Sequence, residues 1–365
     1  MSARAHPRRL RLPALAAACA AIALRAPLFG GACAAAQQSL PPARVAQVIE
    51  QVRRAPPAED AYVQALALGY ALLGEARYEE AAQLFGALVE KRQADPQALY
   101  GVALATFNAG RAVEAEPLAR RAVEAALAAS RSAGGGQAAG RERKARAADA
   151  FVLLGVVLAV RGDDAGALKS VEQAVHLAPD SFDAQLALGR ALFGAGDDAG
   201  AVAAFRAAVA LRPADAQARF FLATALERAG DDKGAMAAYR ELVARQPGAA
   251  EGHLGLGVLL LKRGGPKVAG ALKELGRALE INPNLYEARV TLGRALVARG
   301  RAAEAVEHLR RAAELAPGNP EPHYQLSLAY RRLGRKEEAA AESDIVRRIH
   351  ESRRGGAQAG APPER

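Results

Sequence analysis

A fixed period constrains this chain more than any other feature. Gly162, Gly196, Gly230, Gly264, Gly300 and Gly334 are separated by 34, 34, 34, 36 and 34 residues. Pro179, Pro213, Pro247, Pro283 and Pro317 keep the same steps from 179 onward. Such a period means that one supersecondary unit is used repeatedly, each copy burying its apolar face against the next. Every unit holds two apolar sets at helical spacing. In Phe182 to Asp215 the first set is Leu186, Leu188, Gly189, Leu192 and Phe193; the second is Ala201, Val202, Phe205, Ala208 and Val209. The intervening Gly suits a left-handed helix end. The acids after it, Asp163-Asp164, Asp197-Asp198 and Asp231-Asp232, suit the free N–H groups and positive end of a following helix. The Pro stops that second helix. Aromatic residues are only 5% of the chain and Trp is absent, which disfavours strands. Two cysteines are too few for a disulfide scaffold.

Each unit can be numbered 1 to 34 from Tyr62, Pro96, Ala148, Phe182, Ala216, Ala250, Tyr286 and Pro320. Position 8 is then Gly69, Ala103, Gly155, Gly189, Ala223, Gly257, Gly293 and Ser327. Position 20 is Ala81, Ala115, Ala167, Ala201, Ala235, Ala271, Ala305 and Ala339, without exception. Position 7 is Leu68, Val102, Leu154, Leu188, Leu222, Leu256, Leu292 and Leu326. Small residues at 8 and 20, an apolar one at 7 and Pro at 32 resemble the tetratricopeptide repeat, whose period is 34 residues. The resemblance implies an all-α fold, a right-handed α-solenoid of about eight helix-turn-helix repeats, with helices A and B crossing closest at positions 8 and 20. The large residue the family places at position 4 is replaced by Gln185, Arg219, His253, Arg289 and His323, and the aromatic at 17 occurs only as Tyr78. Thin Leu/Ala packing and modest stability per repeat follow.

Two irregularities break the period. Gly110 and Gly162 lie 52 residues apart, a surplus of 18 that contains Gly134-Gly135-Gly136. Two extra residues at Gly264-Gly265-Pro266 lengthen one turn. The expected organisation is a signal peptide at 1–36, a lead-in helix within 37–61, repeats 1–2 at 62–130, a flexible basic linker at 131–147, repeats 3–8 at 148–350 and a disordered tail at 351–365.

The first residues read as a secretory signal. Arg4, Arg8, Arg9 and Arg11 precede an apolar run from Leu12 to Leu24, and small residues end in Cys33-Ala34-Ala35-Ala36 before Gln37. This pattern predicts cleavage after Ala36 and a periplasmic or secreted chain, with an uncleaved membrane anchor as the alternative. The run is shorter than the ~20 residues that span a bilayer. Cleavage removes both cysteines and five arginines, so the net charge falls from +10 to +5. Arg131 to Arg146 holds +4 of that remainder. The repeats themselves are therefore near neutral, and nucleic acid is not an expected partner.

Catalytic and metal-binding patterns are lacking. His253 and His323 share position 4 two repeats apart, too far to share a metal, and the Asp pairs are better placed for capping than for calcium, which wants six or more oxygens. Gly255-Leu-Gly257 falls inside a helical stretch and has no preceding strand, so it is no phosphate loop. No Gly-x-Ser-x-Gly or His-Glu-x-x-His motif occurs. The reading is a non-enzyme without cofactor.

The resemblance implies that A helices line a groove, mainly through positions 2, 5, 9, 12 and 13. The residues expected to bind a partner there are Tyr70, Tyr100, Phe107, Asn108, Arg190, Phe193, Phe220, Thr224, Arg228, Lys262, Arg294, Tyr324 and Arg332. Arg190 and Phe193 are expected to face Phe220, Thr224 and Arg228 across a repeat boundary. Neither the Lys/Asn clamp of chaperone-tail binders nor the Asn ladder of sugar-transferase superhelices is present. The expected role is a protein–protein interaction scaffold of the bacterial cell envelope that holds an acidic and apolar segment of another envelope protein. The alternative is an accessory factor of polysaccharide or outer-membrane assembly. Membrane contact is expected only through that partner or an uncleaved signal.

Overall fold

The structure, a computed structural model, describes residues 40–132 and 136–359. The expected signal peptide at 1–36 lies outside the described residues, as do Gly134, Gly135 and the last six residues of the expected tail. All regular structure among the described residues is helical. The helices are α1 Pro42–Arg54, α2 Glu59–Gly74, α3 Tyr78–Lys91, α4 Pro96–Asn108, α5 Ala112–Arg131, α6 Gly136–Val160, α7 Asp164–Leu177, α8 Phe182–Ala195 and α9 Asp198–Leu211, followed by α10 Ala216–Arg228, α11 Asp232–Arg245, α12 Ala250–Arg263, α13 Val268–Ile281, α14 Tyr286–Ala298, α15 Ala302–Leu315, α16 Pro320–Arg332 and α17 Lys336–Ala359. From α2 onward they alternate as A and B helices of successive hairpins, an all-α solenoid architecture. Two compact units divide the chain at Leu211 and Arg212. The first holds α1–α9 and the second α10–α17, each with its own packed core.

Side-chain size sets the hairpin. Ala at position 20 is buried in all eight repeats, at 0–3% exposure. A Cβ on Gly155 would lie 3.2 Å from the Ala167 carbonyl oxygen, and one on Gly257 would lie 3.3 Å from that of Ala271. Positions 8 and 20 thus mark the crossing of A and B. The glycine at 8 also makes room for a large residue at 24. A Cβ on Gly69 would lie 2.5 Å from the Phe85 ring, and one on Gly189 the same distance from the Phe205 ring. Phe85 is wedged from the other side by Gly101 of the next A helix, again at 2.5 Å. The last repeat substitutes polar groups: Ser327 Oγ donates to the Ala339 carbonyl at 3.0 Å and meets Ser343 Oγ at 2.8 Å.

The turns follow the expected capping chemistry. Asp163, Asp197 and Asp231 each accept from the N–H three residues on, at 2.9, 2.9 and 2.8 Å. Glycine ends most A helices at positive φ, for example Gly162 at 85° and Gly196 at 84°. Repeat 1 departs from this: Ala76 takes the same place at φ 57°, a conformation that costs an L-residue ~1–2 kcal/mol.

Two segments differ from expectation. The surplus expected as a flexible linker at 131–147 goes mainly into helix: α5 runs 20 residues and α6 runs 25. The stretch Gln137–Ala150 is rich in Ala, Arg, Glu and Lys, which are strong helix formers. Glu142 pairs with Arg146 one turn on, at 2.5 Å. The tail expected to be disordered from Glu351 stays helical through Ala359, continuing the last B helix.

Candidate interaction surface

The polar residues at position 4 have a structural task. Gln185 Nε2 donates to the Pro179 carbonyl at 3.0 Å, and Arg289 Nε donates to that of Pro283 at 2.6 Å. Arg219 donates to Pro213 in the same way, and His253 Nε2 lies 3.2 Å from the Pro247 oxygen. Each thus satisfies the carbonyl of the Pro that ends the preceding B helix. Acids on the B helix complete the set: Arg219 with Glu241 at 2.8 Å, His253 with Glu274 at 2.7 Å and His323 with Glu342 at 2.7 Å. Arg219, only 4% exposed, is therefore fully committed. Burying such groups is tolerable because they are hydrogen-bonded.

The expected groove residues divide into two kinds. Some are used by the fold. Tyr70 is buried; its Oη donates to the Gln97 carbonyl at 3.0 Å and its ring meets Phe85 edge-on at 5.1 Å. Phe220 lies 5.8 Å from Phe221 and 6.2 Å from Tyr239. Thr224 Oγ1 donates to the Phe220 carbonyl at 3.0 Å and is 3.1 Å from the Tyr239 hydroxyl. Lys262 pairs with Asp232 at 2.7 Å, and Arg332 donates to the Val297 carbonyl. Asn108 is half-buried beside a cavity of about 420 Å³ at the first hairpin turn, with Arg77, Tyr78, Glu79 and Glu80. Arg294 and Tyr324 stay open to solvent, the latter 51% exposed, and Arg228 is exposed as well as engaged. Tyr100, Phe107, Arg190 and Phe193 are half-buried. Arg190 and Phe193 lie in the first unit, Phe220, Thr224 and Arg228 in the second.

A group of residues with unusual electrostatics gathers on the A helices of the first unit. Burial, then the charge of Asp183, pushes the Asp149 carboxyl up to about 7, with Arg146 opposing. Burial, then the Asp149 charge, raises the Tyr100 phenol well above the tyrosine range. Tyr70 is raised chiefly by burial and then by Asp95. No described residue donates a hydrogen bond to the Asp149 carboxylate or pairs with it. Among the described residues no three His, Cys, Asp or Glu side chains are grouped to hold a metal, and no helix is long and apolar enough to cross a membrane.

The tetratricopeptide repeat pattern matches residues 66–133, 165–216, 186–250 and 235–289, and a second TPR repeat pattern matches 293–334. These matches take in more than half of the chain. The chain belongs to the tetratricopeptide repeat family. Among solved structures it resembles PilF of Pseudomonas aeruginosa at 19% identity and a TM-score of 0.51, covering 57% of this chain and 93% of that one. It also resembles MamA (20% identity, 50% and 98% coverage, TM-score 0.42) and YrrB, described as a TPR protein with an unusual peptide-binding site (21%, 50% and 93%, 0.41). No curated protein sequence shows significant similarity to the chain.

TPR proteins generally mediate protein–protein interaction, and their scaffolds are typically non-catalytic;. Asp149, at repeat position 2, is not among the groove residues expected from the sequence. Position 2 of this TPR array reads Val63, Gln97, Asp149, Asp183, Gln217, Glu251, Glu287 and Glu321. Five of these eight are acidic, a signal visible at the groove position that the aromatic and cationic residues at 5, 9, 12 and 13 overshadowed.

Proposed function

We propose that the chain is a non-catalytic interaction scaffold that holds a segment of another protein along the face formed by its A helices. The observation that carries this is Tyr324, an aromatic ring on α16 left 51% exposed opposite that helix's buried side, with the exposed Arg294 on the preceding A helix. Large half-open rings and guanidinium groups are the residue types that dominate interface energy. The export reading belongs to the same proposal. It is supported by the basic start, the apolar run and the Ala-rich site at Ala36, and it places the scaffold in the bacterial envelope.

The test is photo-crosslinking in a bacterial host from a benzoylphenylalanine placed at Tyr324, compared with one at Arg240 on the exposed side of the B helix α11. A discrete protein adduct from position 324 alone is expected. Adducts from position 240 alone would move the binding surface to the B helices. For export, a mature N-terminus at Gln37 is expected, and an intact Met1 or Ser2 on cytoplasmic protein would refute it.

A further inference from the structure

Repeat 3 departs from its neighbours at one packing point. Position 4 of an A helix meets position 23 of the following B helix, as in His253 with Glu274 and His323 with Glu342, each at 2.7 Å. In repeats 1 and 2 position 23 is a leucine, Leu84 and Leu118. In repeat 3 the two residues are Phe151 and Ser170. Phe151 has no Pro carbonyl to serve, because Leu127 stands where later repeats place the Pro, and serine is too short to cover a ring. A cavity of about 310 Å³ opens there, within the first unit. Its floor is Phe151, Leu154 and Leu158 of α6, with Val123 of α5 beside them. Phe151 is half-buried and the three aliphatic side chains are buried. The B helices α5 and α7 form the walls, and Gly166 of α7 adds no side chain to fill the space. Ser170 lines the cavity at only 7% exposure, and among the described residues its hydroxyl has no hydrogen-bond partner. A buried hydroxyl left unpaired is unfavourable, so it calls for an acceptor.

The volume of about 310 Å³ is about twice the ~150 Å³ that holds a benzene. It falls at the lower end of the ~300–1,000 Å³ of small-molecule sites, and one side chain of a partner would leave much of it empty. The floor selects an apolar body, and the rim selects its head. Arg120 of α5 pairs with Glu116 at 2.9 Å, and Glu116 also takes Arg161, which leaves that trio at a formal charge of +1. Lys169 of α7 and Glu124 of α5 also line the cavity; they balance one another formally but form no ion pair among the described residues. The surroundings therefore total +1, and the ammonium of Lys169 is adjacent in sequence to the free hydroxyl donor of Ser170. An anionic oxygen satisfies both groups. We propose that this cavity binds a small amphipathic anion: an apolar body of two rings or a short acyl chain, with one carboxylate received by Lys169 and Ser170. The site lies between B helices and shares no residue with the A-helix face, so it does not rest on the reading of that face.

Two fluorescent probes of one shape test this on the full chain: 8-anilino-1-naphthalenesulfonate, which is anionic, and N-phenyl-1-naphthylamine, its neutral counterpart. One sulfonate probe is expected to bind per chain, and decanoate should displace it while decyltrimethylammonium does not. Lys169→Gln, at an exposed position, should weaken the sulfonate probe roughly threefold or more and change the neutral one less than about twofold. Ser170→Leu restores the residue type of Leu84 and Leu118 and should abolish binding of both probes, with the circular dichroism unchanged. Lys169→Gln leaves the packing untouched, so it decides the matter even where Ser170→Leu fails to fold. Equal indifference of both probes to Lys169→Gln would overturn the anionic head and point to a neutral occupant, such as an apolar side chain of a partner. Sulfonate binding that survives a folded Ser170→Leu, or no saturable binding of either probe, would overturn the site itself. Each of these results leaves the reading of the A-helix face where it stands.

Discussion

Replacing Asp149 by Asn isolates one strongly perturbed carboxyl. Its carboxyl is raised from 3.8 to about 7, by burial first and the Asp183 charge second. The sign follows from proton linkage. A raised native value means that the folded state binds the proton more tightly. The stabilisation is complete below about 3.8 and is lost as pH climbs through about 7. At ~1.4 kcal/mol per unit, the full difference is an upper bound of roughly 4 kcal/mol; the carboxylate keeps some contact with water, and screening reduces the figure to ~2 kcal/mol. Asparagine carries no charge at any pH, so it escapes this loss. Urea denaturation of both proteins, followed by circular dichroism, is expected to show the native chain losing ~2 kcal/mol relative to Asp149→Asn between pH 4.5 and pH 8. The groups facing the carboxyl are Asp183, Arg146, Tyr70 and Tyr100. Were Arg146 dominant, Asp149 would be ionised throughout and the Asn variant would be the less stable protein at pH 8. Parallel pH curves, or that inversion, would refute the reasoning.

Three further outcomes follow from the packing. Ala76→Gly relieves the φ of 57° and should raise stability by ~0.5–1 kcal/mol once the entropy of glycine is counted; a lowered melting temperature would count against it. Gly189→Ala places a Cβ 2.5 Å from the Phe205 ring and should cost ~1–3 kcal/mol by overpacking, most of it recovered with Phe205→Leu, and a neutral single variant would contradict the packing described for positions 8 and 24. Limited trypsin digestion should cut after Arg131, at the end of α5, before Arg141, Arg143 or Lys144, which lie inside α6; first cuts at those three would mean that α6 is not formed over that stretch.

The repeat itself was legible because its signals are local and recur. Ala at 20 in eight repeats, Gly or Ala at 8 in seven and the Gly–Asp pair at three hairpin turns each report one steric or capping demand, and their recurrence leaves little room for another fold. The surplus in repeat 3 misled because three consecutive glycines outweigh their neighbours to the eye, whereas only Gly136 and Gly140 fall within α6, among strong helix formers. The polar residues at position 4 read as weakened packing, yet Arg219, His253 and Arg289 satisfy Pro carbonyls six residues back, a pairing that shows only when the turn is seen in space. The candidate site was legible by position but not by role. Thr224, Lys262 and Arg332 stand at groove positions, but their polar atoms have partners within the fold. Sequence spacing tells which residues share a face and is silent on which of them the fold has already engaged.

The 18 extra residues change the helix position at which the perturbed carboxyl sits. Glu251, Glu287 and Glu321 fall in the first turn of their A helices, where free N–H groups and the helix dipole favour a carboxylate. Asp149 holds the same repeat position, but α6 begins at Gly136, more than three turns earlier. It therefore lies away from a helix N-terminus, and it is partly buried. Deleting Ser130–Ala147 and replacing Leu127-Ala128-Ala129 with Pro-Gly-Asn, as at Pro317-Gly318-Asn319, would return Asp149 to a first turn. The deletion also removes Arg146, whose charge lowers the Asp149 value, so the two changes oppose one another. Burial is the larger influence, and the carboxyl should return to the ordinary aspartate range, near 4. Carbon-13 titration of the aspartate carboxyls in the shortened chain measures this directly. A carboxyl still titrating near 7 would show that Asp183, not the lengthened helix, holds Asp149 protonated.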